Sequence, residues 1–88
     1  MKIEAAIGDF LNYCVFEKGL SDKTKNSYQN DLGVYQDFLS THYHVYDVMN
    51  ITCDMIKDFL KNRSEEETTT LAHNLTVIKN FHSYLVKE

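Results

Sequence analysis

A chain of 88 residues can bury one modest core and too little for two, so it leaves scant room for a multi-step enzyme site. The absence of proline, with only three glycines beside 43% hydrophobic and 25% charged residues, argues against a turn-rich β fold and for helices joined by short connections. Thirteen acids against nine bases, a net charge of -4, argue against nucleic-acid binding through bulk positive charge, so any such contact must be local.

Four helical patterns follow one another along the chain. The first spans about Lys2 to Lys18, with Ile3, Ile7, Phe10, Leu11 and Cys14 on one face at helical spacing. Gly19 supplies a left-handed residue to close it, and Leu20 is placed to fold back on the last turn. Ser21 is a good N-cap for a second helix to about Ser40, with Tyr28, Leu32, Tyr35 and Leu39 inward and Phe38 flanking. The stretch "THYHVYDVMN", Thr41 to Asn50, lacks helical period and reads as a connection partly packed by Val45 and Val48. Thr52 caps a short third helix, Cys53 to about Asn62, with Asp54 in the first turn and Ile56, Phe59 and Leu60 toward the core. "SEEE" at Ser64 to Glu67 is a capping box before a fourth helix to about Val86, whose expected apolar stripe is Leu71, Leu75, Ile78, Phe81, His82 and Leu85. The expected fold is all-α, a compact four-helix orthogonal or bundle-like domain over residues 1–88.

Catalytic and metal patterns are absent from the sequence. Cys14 and Cys53 form no C-x-x-C pair and fall in apolar segments, where buried free thiols in a reducing cytoplasm are expected. His42 and His44 share a loop, whereas His73 and His82 lie on different faces of the last helix, so neither pair has zinc-ligand spacing. No histidine–acid pair accompanies either cysteine, and the glycines form no phosphate loop, so no cofactor, metal or small-molecule substrate is expected. No run approaches the roughly 18 apolar residues needed to span a bilayer, and the expected location is cytoplasmic.

The faces not needed by the core carry more information. On the last helix Thr69, His73, Thr76, Asn80, Ser83 and Lys87 fall together, with Lys79 on the border and no carboxylate among them. On the second helix Lys23, Asn26, Ser27 and Asn30 form a similar acid-free region. Short hydroxyl and amide side chains with a few lysines are what phosphate and groove-edge contacts use, and helix N-termini add partial positive charge. An ordinary solvated surface is the competing explanation of both faces.

The runs "FLNYCVFEKGLSDKTKNSYQNDLGVYQDFL", "ITCDMIKDFL" and "LAHNLTVIKNFHSYL" resemble the N-terminal core-binding, SAM-like domain of tyrosine recombinases and phage integrases. Ser21, Thr24, Tyr28, Asp31 and Leu32 match its second-helix pattern "G-L-S-x-x-T-x-x-x-Y-x-x-D-L-x-x-F", with Tyr35 at the phenylalanine position. Ile51, Thr52 and Ile56 match its third element, although Asp54 stands one residue early and Met55 takes the acid's place. Leu75, Thr76, Ile78, Lys79, Phe81, Tyr84 and Leu85 match its closing helix, with His73 and Lys79 where arginines are common.

The resemblance implies a DNA-binding domain that clamps a recombination half-site during DNA integration or recombination, its second and fourth helices against the major groove and nearby phosphates. Lys23, Thr24, Lys25, Ser27 and Tyr28 would contact DNA from the second helix, and His73, Thr76, Lys79 and Asn80 from the fourth. The implied partners are double-stranded DNA, other recombinase protomers and a separate C-terminal catalytic domain. That domain would hold the nucleophilic tyrosine, so none of the six tyrosines here takes that role and the chain itself is not expected to be an enzyme. The parent protein would serve a mobile element or a host chromosome system. From the residues alone, a helical protein-interaction module is the alternative, with Tyr13, Phe16 and Val34 off the main stripes as contacts.

Overall fold

The apolar residues of the first segment recur at the helical period, and in the computed structural model they form α1, Ile3–Lys18, with Ile3, Ala6, Ile7, Phe10, Leu11 and Cys14 buried. The structure describes residues 1–63 and 68–87, with side chains for 1–63 and 72–86. Gly19 ends α1 in the left-handed region at φ 66°, its N–H bonded to the Cys14 carbonyl. The Leu20 N–H reaches the same carbonyl at 3.2 Å, and its half-buried side chain packs on the core as the sequence predicts.

Ser21 caps α2, Asp22–Tyr43, by accepting the Thr24 N–H at 3.3 Å. This helix outlasts the end expected near Ser40 by three residues. Aromatic packing holds the extra part of a turn: Phe38 lies 4.5 Å from the His42 ring and 5.9 Å from Tyr43, whose phenol donates to Asp58. His44, at φ 54°, then closes the helix, and its N–H reaches Leu39 and Ser40 carbonyls. Val45 is buried and Val48 half-buried, as expected of the connection. Backbone bonds tie this connection to the start of α1: Ile3 N–H to Tyr46 O at 2.9 Å and Val48 N–H to Met1 O at 3.0 Å. Asp47 accepts the Met49 N–H at 2.9 Å and so caps a short 3-10 turn, Val48–Asn50.

Thr52 caps α3, Cys53–Asn62, through the Met55 N–H at 3.3 Å. Phe59 is buried, while Ile56 and Leu60 pack half-buried on the core. Cys53 is exposed, contrary to expectation, because it opens a short helix whose inward direction is set by Phe59. The Ser64–Glu67 capping box lies outside the described residues.

The last helix, α4, spans Thr68–Lys87. It buries Asn74, Val77, Ile78 and Phe81, and leaves Leu75 48% exposed. The inward face is therefore rotated from the expected Leu75-centred stripe toward Asn74 and Val77. The physical reason is that α4 packs against α1 and α2, and short α3, which packs chiefly on α2, does not cover the Leu75 side. Side chains of Thr69, Leu71 and Lys87 lie outside the described residues.

An aromatic chain runs through the core. Phe10 meets Phe81 edge-on at 5.5 Å and Tyr84 at 5.5 Å, and Phe59 meets Tyr35 at 5.1 Å and Phe38 at 5.3 Å. Such tilted pairs add roughly 0.5–1.5 kcal/mol each beyond area burial. The result is the expected all-α bundle of four helices, and the one strand-like feature among the described residues is an isolated Lys2–Asp47 bridge.

Candidate nucleic-acid interface

Where α2 crosses α4, Tyr28 and His73 meet edge-on with ring centroids 6.0 Å apart. Tyr28 is braced from behind by Phe10, stacked at 6.4 Å and 9°. Tyr28 also shares the wall of one cavity with Asn80. The structure thus joins Tyr28, His73 and Asn80, three residues that the sequence placed on two separate helices.

Thr76 and Lys79 are exposed on the outer side of α4. The Thr76 hydroxyl donates to the Ala72 carbonyl at 3.0 Å, which leaves its oxygen as an acceptor and spends its proton within the helix. Lys79 borders a different groove, between α3 and α4, beside Ile56, Leu75 and Val86.

The start of α2 is less uniform than the sequence suggests. Lys23 and Ser27 are exposed and four residues apart, hence on one flank. Lys25, two positions from Lys23, is turned by about 200° and is half-buried on the opposite flank. The two lysines do not form one cluster. Thr24 is half-buried, and its hydroxyl accepts from Ser21 Oγ at 3.1 Å, so it serves the cap first.

Asp31 changes the character of the face. Its Oδ2 lies 2.7 Å from His73 Nδ1, with side-chain exposures of 16% for Asp31 and 44% for His73. Among the described residues no donor meets that buried oxygen with hydrogen-bond geometry, so the carboxylate rests against the imidazole edge between α2 and α4 without a directed bond. A carboxylate therefore stands inside a surface expected to be free of acids. Its spacing offered a signal: Asp31 is three residues beyond Tyr28 and four beyond Ser27, on the flank that meets α4.

Other reactive groups are committed to structure. Burial pushes the Cys14 thiol up, with Lys18 acting in the opposite direction, so Cys14 is a core residue and not an activated nucleophile. Tyr35 is fully buried, its phenol pushed up by desolvation, and its oxygen lies 2.9 Å from His82 Nε2. Burial in turn lowers the His82 pKa, favouring the neutral ring. Among the described residues no three His, Cys, Asp or Glu side chains converge as metal ligands, and no helix is long and apolar enough to cross a membrane.

The all-helical frame agrees with the family found when the chain is compared with known proteins. Residues 7–88 match the family described as "Phage integrase, N-terminal SAM-like domain". The chain belongs to this family. Tyrosine recombinase XerD of Oceanobacillus iheyensis is 32% identical over 88 residues, covering 98% of this chain and 30% of the relative. Tyrosine recombinase XerD of Staphylococcus aureus strain Mu50 is 28% identical over the same span and coverage. The chain thus spans about 30% of the length of these curated relatives. No solved structure matches it. In this SAM-like integrase domain, Asp31 joins Tyr28 in meeting His73 across α2 and α4.

Proposed function

We propose that this chain is the DNA-clamping domain of a tyrosine-type site-specific recombinase, a single unit over residues 1–88 that holds one side of a recombination half-site and carries no catalytic group of its own. The observation that supports it best is the α2/α4 crossing, where Tyr28 and His73 meet and draw Ser27, Thr76 and Asn80 onto adjoining surface. Exposed Lys23 extends this surface along α2, Lys79 adds charge from the α3/α4 side of α4, and helix N-terminal polarity at Asp22 to Thr24 adds to it. Lys25 contributes from the other flank of α2. Phosphate contacts dominate, and base-edge contacts come from His73, Thr76 or Asn80. The partners are duplex DNA, neighbouring protomers and a catalytic domain bearing the nucleophilic tyrosine, in the cytoplasm.

Mobility shifts at low and moderate salt test this reading. Weak binding that falls with rising salt is expected, with a modest slope because few phosphates are neutralised by a chain of net charge -4. The triple variant K23A/K25A/K79A is expected to bind more weakly, with a flatter salt dependence and an unchanged helical spectrum. Equal binding by wild type and variant would place the contact surface elsewhere.

One observation favours a second reading, a protein-interaction module. Phe16 is 82% exposed and Val86 87% exposed, and Val86 borders the apolar α3/α4 groove with Leu75. A duplex-binding failure at every salt concentration, joined to concentration-dependent self-association, would favour it.

A further inference from the structure

A cavity of about 300 Å³ opens where the end of α1, the start of α2 and the last half of α4 converge. Buried Phe10 lies at its floor, half-buried Tyr13, Tyr28 and Tyr84 form its walls, and exposed Lys18, Asn80 and Ser83 stand at its rim. The tyrosine walls are held by one another and by the core: Tyr13 and Tyr84 lie 4.9 Å apart, and both Tyr28 and Tyr84 rest on Phe10. Among the described residues the lining holds one cation and no carboxylate. In this respect it differs from the shallow depression on the outside of α2, whose lining includes Asp37.

We propose that this cavity is a sugar-phosphate subsite of the DNA surface, in which Lys18 meets a backbone phosphate, Asn80 and Ser83 hydrogen-bond its oxygens or the adjoining sugar oxygen, and the tyrosine walls pack on the deoxyribose. The inference rests on the DNA-clamping reading and adds α1 to it, assigning Lys18 and Ser83 as contacts beyond the α2 and α4 residues named above. Three features carry it. Tyr28 and Asn80 belong both to the cavity and to the α2/α4 surface, so a duplex on that surface passes the cavity mouth. The rim supplies a lysine, an amide and a hydroxyl, the donors that phosphate contacts use. Aromatic walls with a polar rim suit a ligand with an apolar ring and an anionic edge, which describes a nucleotide unit better than a wholly apolar side chain.

Fluorescence anisotropy with a labelled mixed-sequence duplex, across a series of salt concentrations, tests the subsite. Four proteins are compared: wild type, Lys18→Ala, Ser83→Trp to plug the mouth, and Lys57→Ala, an equal loss of charge at an exposed α3 position outside the cavity. Lys18→Ala is expected to weaken binding several-fold at low salt and to reduce the slope of log K against log salt by about 0.9, the loss of one phosphate contact. Ser83→Trp is expected to weaken binding with Lys18 still present, and Lys57→Ala to leave the slope unchanged. Circular dichroism checks that these exposed substitutions preserve the helices. If wild type binds but Lys18→Ala behaves as Lys57→Ala and Ser83→Trp binds as wild type, the subsite is wrong while the clamp stands. If wild type binds no duplex at the lowest salt, the clamp falls and the subsite with it.

Discussion

Asp31 shows how one side chain modifies a surface that the rest of the helix prepares. Its carboxylate sits 2.7 Å from His73 Nδ1 in the face proposed for DNA, where its negative charge repels phosphate. Asp31→Asn is therefore expected to tighten duplex binding at low salt, an effect that fades as salt screens the charge. Because the pair is partly exposed and lacks hydrogen-bond geometry, its loss should cost less than about 1 kcal/mol, measurable as a small fall in Tm. Tyr35 and His82 behave differently, since their 2.9 Å contact is partly buried and one partner, Tyr35, lies in the core. Tyr35→Phe should cost roughly 1–2 kcal/mol by leaving a partly buried ring nitrogen without its partner. His82 also sets a pH dependence. Its folded-state pKa lies below the unfolded value, so as pH falls through about 6.5 the unfolded chain takes up the proton first. The stability contributed by neutral His82 is thus complete above that pH and is lost as pH falls, the loss ending once the folded-state ring protonates. Thermal unfolding between neutral and mildly acidic pH should show this slope, and His82→Phe should reduce it.

At the scale of elements, the helix ends at Gly19, Ser21 and Thr52 were legible because a side chain or a glycine fixes each of them locally. Gly19, Ser21 and Thr52 do what their residue types predict, because a cap is a contact between near neighbours in sequence. Gly19→Ala is expected to destabilise by about 1–2 kcal/mol, the cost of a left-handed backbone for a residue with a Cβ, since open space surrounds the position and no clash contributes. Gly33, inside α2 with equally open surroundings, should respond in the opposite direction. Gly33→Ala is expected to stabilise by about 0.5–1 kcal/mol, and urea unfolding of the two variants side by side would check both signs. The end of α2 was not legible. His42 and Tyr43 continue the helix because Phe38 and Asp58 receive them, and Asp58 belongs to another element.

For the molecule as a whole, the core depends on a few aromatics contributed by all four helices. Phe81 is fully buried and meets Phe10 at 5.5 Å, so Phe81→Ala should cost about 3–5 kcal/mol. In a domain of this size that approaches the entire stability, and chemical denaturation should find the variant largely unfolded. By itself the sequence determined the number and order of the helices, the caps at Gly19, Ser21 and Thr52 and the inward faces of α1 and α2, because these depend on periodicity and on residues close together in the chain, while the resemblance of its motifs pointed to the family. Tertiary structure alone decided the rotation of α4, which buries Asn74 and Val77 and exposes Leu75 because α1 and α2 cover one flank and short α3 leaves the other open. It also decided which polar residues share a surface. Tyr28, Asp31, His73 and Asn80 are brought together by the packing of α2 on α4, whereas the parting of Lys23 from Lys25, two apart, already follows from the helical turn. A period of 3.6 residues fixes directions around one helix axis, but only the crossing of two axes fixes which directions meet.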